Sequence, residues 1–493
     1  MTFPLPETLE SPNPVPDVVI GYLSIRPQSG KTLVDCEHRD LLDVEGFYGT
    51  DDDVRDAIRM AEGAGLRVVA SSRLGLSVAG PAGALLEITG GEMVTRERLV
   101  RTRAGRIEYV THLDIVGEGQ PAQMGVARLA SPAAPADALV LERPKAPLAV
   151  FPSPIPPAVD RYHLRVPDDV ATMLGAAEAH RRGHVGEGVT VAMVDTGQFQ
   201  HPFFAAHHYN VEPPISMVPG TNPAKDPYGH GTGESANIFA VAPGATLRPY
   251  RASNDDGSLV GSMAGFVRAK QESPDVLTNS WSSDYDYPPP RNSGPPVAER
   301  ALVLEILDAI ARNIVVIFAA GNGHFGVEAQ VPGVIAAGGV FAGPGLTLQA
   351  STYCSGYSSD WFGGVTVPTV SGLVGMAPRA ALLALPVSPG CILDRDCAGE
   401  AEGEPGDSTT PNDGWALFSG TSAAAPQVAG AAAVLRGFRP GASPAQVATA
   451  LRESAVDVEA GRCSPRFDHR ATRGDDLATG AGLINVSRAL DRI

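Results

Sequence analysis

Little in this sequence would staple or anchor it. It has five cysteines in 493 residues, at positions 36, 354, 391, 397 and 463. The number is odd and the spacing sparse, which excludes a disulfide scaffold. No pairing among them has zinc-site spacing; only Cys391 and Cys397, which bracket ILDRD, stand close enough to bridge across a loop. No run approaches 18 apolar residues, so no membrane span is expected. Basic residues are in the minority, 38 Lys and Arg against 55 Asp and Glu for a net charge of −17. That speaks against a nucleic-acid partner, which would select a basic face. The opening MTFPLPETLESPNPVP lacks the basic start and apolar core of a secretory signal. The expectation is therefore action in the cytoplasm or export by a route not encoded here.

What is present is enough chain for two or three domains and a hydrophobic fraction of 43%, sufficient for a globular core. Its organising stretch is FSGTSAAAPQVAGAAAVLRGF, Phe418 to Phe438. Gly420, Thr421 and Ser422 make a small-residue turn that feeds an Ala- and Val-rich run with no charge before Arg436. A serine there sits where unpaired N–H groups and the positive end of a helix dipole converge. Pro426 is tolerated because first-turn N–H groups have no helical partner. Alone, Ser422 reads first as a helix N-cap, and only partners elsewhere in the chain overturn that.

A nucleophilic serine needs a histidine as base and a carboxylate to orient that histidine. Val189–Val194 reads VTVAMV, a strand buried on both faces, and it ends at Asp195, where open parallel sheets gather functional groups. His230 lies between glycines in YGHGTGES at the start of a short helix. Asp195 could otherwise be a turn residue and His230 a satisfied core histidine. The strand NIVVIF ends in the turn Ala319–Gly323, which carries Asn322; an asparagine between glycines also suits a left-handed turn.

VDTG around Asp195, GHGT around His230, AAGN ending at Asn322 and GTSAAAP around Ser422 resemble, in order, the motifs of the subtilisin-like serine proteases, from roughly Val185 to Ala489. The resemblance implies a catalytic triad of Asp195, His230 and Ser422. It also implies that the Asn322 amide and the Ser422 N–H stabilise the oxyanion. The substrate would lie along Ser280, Trp281 and Ser282, with the pocket before the scissile bond between that segment and Ala319, Ala320 and Gly321. NSW at 279–281, GNG at 321–323 and SAAAP at 422–426 are similar to the kexin-like branch. Gly233 and Glu234 stand where the family has a second histidine after His-Gly-Thr, and Gln427 where one follows the proline. Asp284 and Asp286 either attract a basic substrate side chain or are solvent-facing acids on a Pro-rich loop. Some family members hold calcium, so structural calcium is admitted, with no ligand pattern to place it.

The fold class expected is α/β: a doubly wound parallel sheet with helices on both faces over 158–493. Ahead of it, the order strand, helix, strand, strand, helix, strand, ending in RIEYV at 106–110, suggests a small α+β unit of split βαβ, ferredoxin-like type over 1–127. An Ala/Pro-rich linker is expected over 128–157. In the family such a domain is a propeptide that templates folding and inhibits. The function expected is therefore a serine endopeptidase made as a zymogen. Its partners would be a protein or peptide substrate and its own N-terminal domain as inhibitor. A catalytic histidine neutral at rest predicts activity rising with pH through roughly 6–7. The rival reading, a binding module on a dead protease fold, is disfavoured because all four residue types are present.

Overall fold

The computed structural model describes residues 9–493 except 103–105, 122–124, 143–161, 284, 286–293, 377–381, 401–405, 408 and 410. The chain builds two packed units. The first begins with β1 (Val19–Ile25) and α1 (Asp51–Gly63), whose Thr50 caps the helix and exchanges hydrogen bonds with Asp53. It continues through β2 (Arg67–Ser71), β3 (Gly75–Gly80) and α2 (Ala82–Thr89). A long antiparallel pair follows, β4 (Glu92–Thr102) with β5 (Arg106–Val116). Then come β6 (Val126–Arg128) and β7 (Ala136–Leu141). The five-stranded sheet runs β2-β3-β1-β7-β6, antiparallel throughout.

The split βαβ arrangement is there, but two boundaries need correcting. The fourth strand of the motif is β7, not RIEYV, which extends into β5 and pairs with β4 outside this sheet. The expected 128–157 linker therefore loses its first half to the N-terminal unit. The sequence ADALVL is fully buried between β1 and β6, and small alanines suit that crowded position. Residues 143–157 of the expected linker lie outside the described residues.

The second unit is the expected doubly wound sheet. Its central strands are β8 (Thr190–Asp195), β9 (Thr246–Arg251), β10 (Val276–Asn279), β11 (Val315–Ala319), β12 (Ile335–Ala342) and β13 (Val370–Val374). They lie parallel in the order β9-β8-β10-β11-β12-β13. Side chains alternate between two cores. Val191, Met193, Leu247, Val315 and Ile317 face α3 (His230–Val241) and α6 (Thr421–Phe438). Ala192, Val194, Tyr250, Val316 and Phe318 face α4 (Ser262–Gln271) and α5 (Val297–Ala311). Strands covered on both sides account for the unbroken apolar run VTVAMV.

The N-terminal sheet rests on the α4/α5 face. Tyr22, Leu74 and Val140 join that core, while Leu23, Leu76 and Leu139 turn the other way onto α1 and α2. At the seam, Lys270 of α4 ion-pairs with Glu305 and Asp308 of α5, all three buried. The N-terminal unit supplies hydroxyl donors to the same acids: Tyr22 and Ser72 to Glu305, Tyr48 to Asp308. Glu142, just past β7, accepts from the Met263 N–H and the Ser262 hydroxyl, placing a carboxylate at the positive end of α4.

Candidate active site

The chain reaches β8, moves outward to β9, then returns across to β10. Strand order reverses there, so a crevice opens beyond the carboxyl ends of β8 and β10. Asp195 is the last residue of β8 and His230 the first of α3. Both are buried. His230 Nδ1 lies 2.7 Å from Asp195 Oδ1, which also accepts from the Thr196 N–H at 2.7 Å. The flanking glycines make the approach feasible. Gly229 is left-handed at φ +94°, and a Cβ there would strike the Cys391 sulfur. A Cβ on Gly231 would overlap the Gly197 carbonyl and stand 3.1 Å from Asp195 Cβ. The turn before α3 is held by Asp226, which accepts from the Thr196 hydroxyl, the Gly229 N–H and both the N–H and hydroxyl of Thr232.

Ser422 is the second residue of α6, a helix buried from Thr421 to Arg436. Its alanines and Gly430 let it cross close to α3: a Cβ on Gly430 would meet the Ile238 carbonyl at 2.8 Å. The Ser422 hydroxyl donates to the Ser280 carbonyl at 3.1 Å, and the Ser280 hydroxyl donates back to the Ser422 carbonyl at 2.9 Å. Asn322 is joined to the same helix start: its Oδ1 accepts from the Thr421 N–H at 2.8 Å and the Thr421 hydroxyl at 3.0 Å. That pairing turns the amide nitrogen away from Thr421. Asp195 and His230 are thus joined, and Asn322 and Ser422 share one helix terminus. The Ser422–His230 hydrogen bond is not made, because the hydroxyl is turned to Ser280; among the described residues His230 Nε2 has no hydrogen-bond partner.

Ser280, Trp281, Ser282, Ala319 and Gly321 line one narrow cleft with Asn322 and Ser422. Ala320 does not. It is buried, and its N–H completes the sheet by donating to the Ala337 carbonyl at 2.9 Å. Trp281 borders the cleft, but its indole is turned inward: the N–H donates to the Val194 carbonyl at 2.8 Å and the ring packs edge-on against Phe318. His324 is a cleft residue that the motifs did not single out. Its Nδ1 accepts from the Asn322 N–H at 3.3 Å, and Nε2 contacts the Ser282 hydroxyl at 2.9 Å. Two residues past Asn322, nothing in its local sequence marks it. Asp284 and Asp286 lie outside the described residues.

The electrostatics bear on the protonation of the base. Burial by itself lowers the His230 pKa, but the Asp195 carboxylate, with Glu234 and Asp226 adding to it, more than offsets this and pushes the imidazole up to about 9. A base held this way titrates above the ordinary imidazole range. Among the described residues no group of three or more His, Cys, Asp and Glu side chains is placed to hold a metal ion. All five cysteines are free and buried, Cys391 and Cys397 included. No helix among the described residues is long and apolar enough to cross a membrane.

The sequence model of the subtilase family matches residues 186–482. Subtilisin Savinase of Lederbergia lenta is 26% identical over 327 residues, 64% of this chain and 95% of its own. Subtilisin E of Bacillus subtilis is 27% identical over 348 residues, 66% of this chain and 72% of its own. Among solved structures, fervidolysin from Fervidobacterium pennivorans, a keratinolytic enzyme related to subtilisin, superposes with a TM-score of 0.53 at 19% identity. That superposition covers 96% of this chain, the N-terminal unit included, and 61% of fervidolysin's length.

Proposed function

Since this chain belongs to the subtilase family and is a subtilisin-like serine protease, we propose that it is an endopeptidase working through Asp195, His230 and Ser422. The buried Asp195–His230 contact of 2.7 Å at the strand-order reversal carries this reading. The Ser422 hydroxyl turns from the Ser280 carbonyl toward His230 and attacks the peptide carbonyl as Nε2 takes its proton. The imidazolium then delivers that proton to the leaving amine. Asp195 holds Nδ1–H and favours the charged ring. The Ser422 N–H and the Asn322 amide stabilise the oxyanion. The Thr421 contacts fix that amide beforehand, so no reorganisation is needed at the reaction step.

The N-terminal unit is read as the inhibitory propeptide of a zymogen. Its support is the docking on α4 and α5, together with a buried site whose nucleophile is turned aside. The bond cut on activation is placed near the Ala/Pro-rich stretch 128–157 or slightly before it; 143–157 lie outside the described residues. Mass spectrometry of the purified protein tests both parts. Wild type should yield a separate N-terminal fragment and hydrolyse casein. Ser422→Ala should stay a single chain and lose hydrolysis. Full activity in Ser422→Ala would refute the assignment.

A further inference from the structure

Glu234 stands one helical turn after His230 on α3, and no protein surface or solvent surrounds it. It is buried, at 0% exposure. Its Oε2 accepts from the Asn237 side-chain amide at 2.9 Å, and Asn237 is in turn contacted by Gln427 of α6. Its other oxygen, Oε1, lies 3.7 Å from His230 Nε2. Among the described residues, neither of these facing atoms has a hydrogen-bond partner. Two buried acceptors left unsatisfied are destabilising, whereas one proton between them satisfies both. A charge-assisted hydrogen bond is about 2.8 Å long, so a shift of roughly 1 Å closes the gap.

We propose that Glu234 is a positioning residue for the base, holding a proton between its Oε1 and His230 Nε2 so that the resting imidazole faces a carboxylate instead of the Ser422 hydroxyl. The inference rests on the triad reading above. It accounts for two observations together: Nε2 makes no bond to Ser422, and Ser422 is turned to Ser280. Release is a proton transfer that balances within the site. The Nε2–H bond breaks, Oε1–H forms, and the carboxylate becomes a neutral acid. The ring becomes neutral, keeps Nδ1–H on Asp195, and can now receive the serine proton.

The surroundings suit that exchange. Burial raises the Glu234 pKa to about 7 against the lowering effect of His230, so its neutral form is accessible near neutrality. The other charged groups acting on the pair are Asp195 from β8 and Asp226 from the turn before α3. The Cys391 thiol lies against Gly229, with burial raising its pKa to about 12, so it stays neutral. Tyr228 packs edge-on 6.4 Å from the imidazole, and from α6 the uncharged Gln427 contacts Asn237, the amide that donates to Glu234. Phe418 packs beside Gly233 and stacks 6.2 Å from the imidazole.

The test is histidine NMR of the full chain carrying Ser422→Ala, which needs no activity and so separates this inference from the triad assignment. The His230 resonance is identified by its loss in His230→Gln. With Glu234 present, the ring should titrate above the ordinary imidazole value of about 6.5. Glu234→Gln should lower that midpoint by at least about one unit, and Glu234→Asp, which keeps the charge, should restore most of it. In the active enzyme, the acid limb of kcat/KM for Glu234→Gln should move down in parallel, roughly tenfold faster at a fixed pH on that limb. A wild-type midpoint at or below the ordinary value overturns the proposal. So does a Glu234→Gln midpoint unchanged while the melting temperature falls, which would mark Glu234 as a packing residue.

Discussion

Removing two hydroxyls, Tyr22→Phe with Tyr48→Phe, should loosen the N-terminal unit from the catalytic one without disturbing either core. Both rings stay, so the packing of Tyr22 against α5 and of Arg73 over the Tyr48 ring is retained. What is lost is one donor to each buried acid, Glu305 and Asp308. Burial, then the neighbouring acid, raises the pKa of each tyrosine, so both donate as neutral phenols. A hydrogen bond to a charged group contributes about 1.5–3 kcal/mol. Each acid keeps other donors, Lys270 on both, Ser72 on Glu305 and Arg312 on Asp308. Tyr48 is only half-buried. The lower end therefore applies, and the pair sums to roughly 3 kcal/mol, on the order of 10²-fold in the docking equilibrium. Cys36 reports on it. Its thiol is buried beside this seam, its carbonyl accepts from Arg300 of α5 at 2.5 Å, and burial raises its pKa. Thiol labelling of Cys36 in the Ser422→Ala chain should accelerate by that factor. The other four buried cysteines, all in the catalytic unit, should label at unchanged rates. Cys36 labelling within about threefold of the parent would refute the view that these acids hold the two units together; equal acceleration at all five cysteines would show global destabilisation instead.

Two further changes bear on the site. Gly231→Ala should cost about 1–3 kcal/mol of stability through overpacking against the Gly197 carbonyl and reduce kcat/KM at least about 10²-fold by displacing His230 from Asp195. Thermal unfolding and casein hydrolysis check it, and near-normal activity would show that the close approach is dispensable. His324→Ala should open the cleft beside Ser282 and raise kcat/KM for peptides with a large apolar residue before the scissile bond over those with alanine. A fluorogenic panel with unchanged ranking would remove His324 from the specificity pocket.

The parts of this protein that sequence reveals are those fixed by neighbours in the chain. VTVAMV had to be a doubly covered strand, Gly229 and Gly231 had to permit a close approach, and GTSAAAP had to start a buried helix. Each of these residues sits at the strand or helix end expected of it. What stayed hidden depends on residues far away. ADALVL looked like linker because alanine and proline dominate its surroundings, yet it fills the slot between β1 and β6. The Trp281 indole seemed available to substrate until Val194 and Phe318 were seen to hold it inward. Glu234 was visible as a departure from its family's motif. Its meaning needed the helical turn that sets it opposite His230, where it adds to the Asp195 carboxylate in raising the imidazole pKa.

The central claim is that the Ser422 hydroxyl is activated by the His230–Asp195 pair, and covalent labelling addresses it most directly. A fluorophosphonate added to the active protein should leave a single adduct on the peptide containing Ser422, with hydrolysis lost in proportion, and should leave none in His230→Ala. An adduct on another residue accompanying the loss of activity, or equal labelling of Ser422 in His230→Ala, would contradict the account.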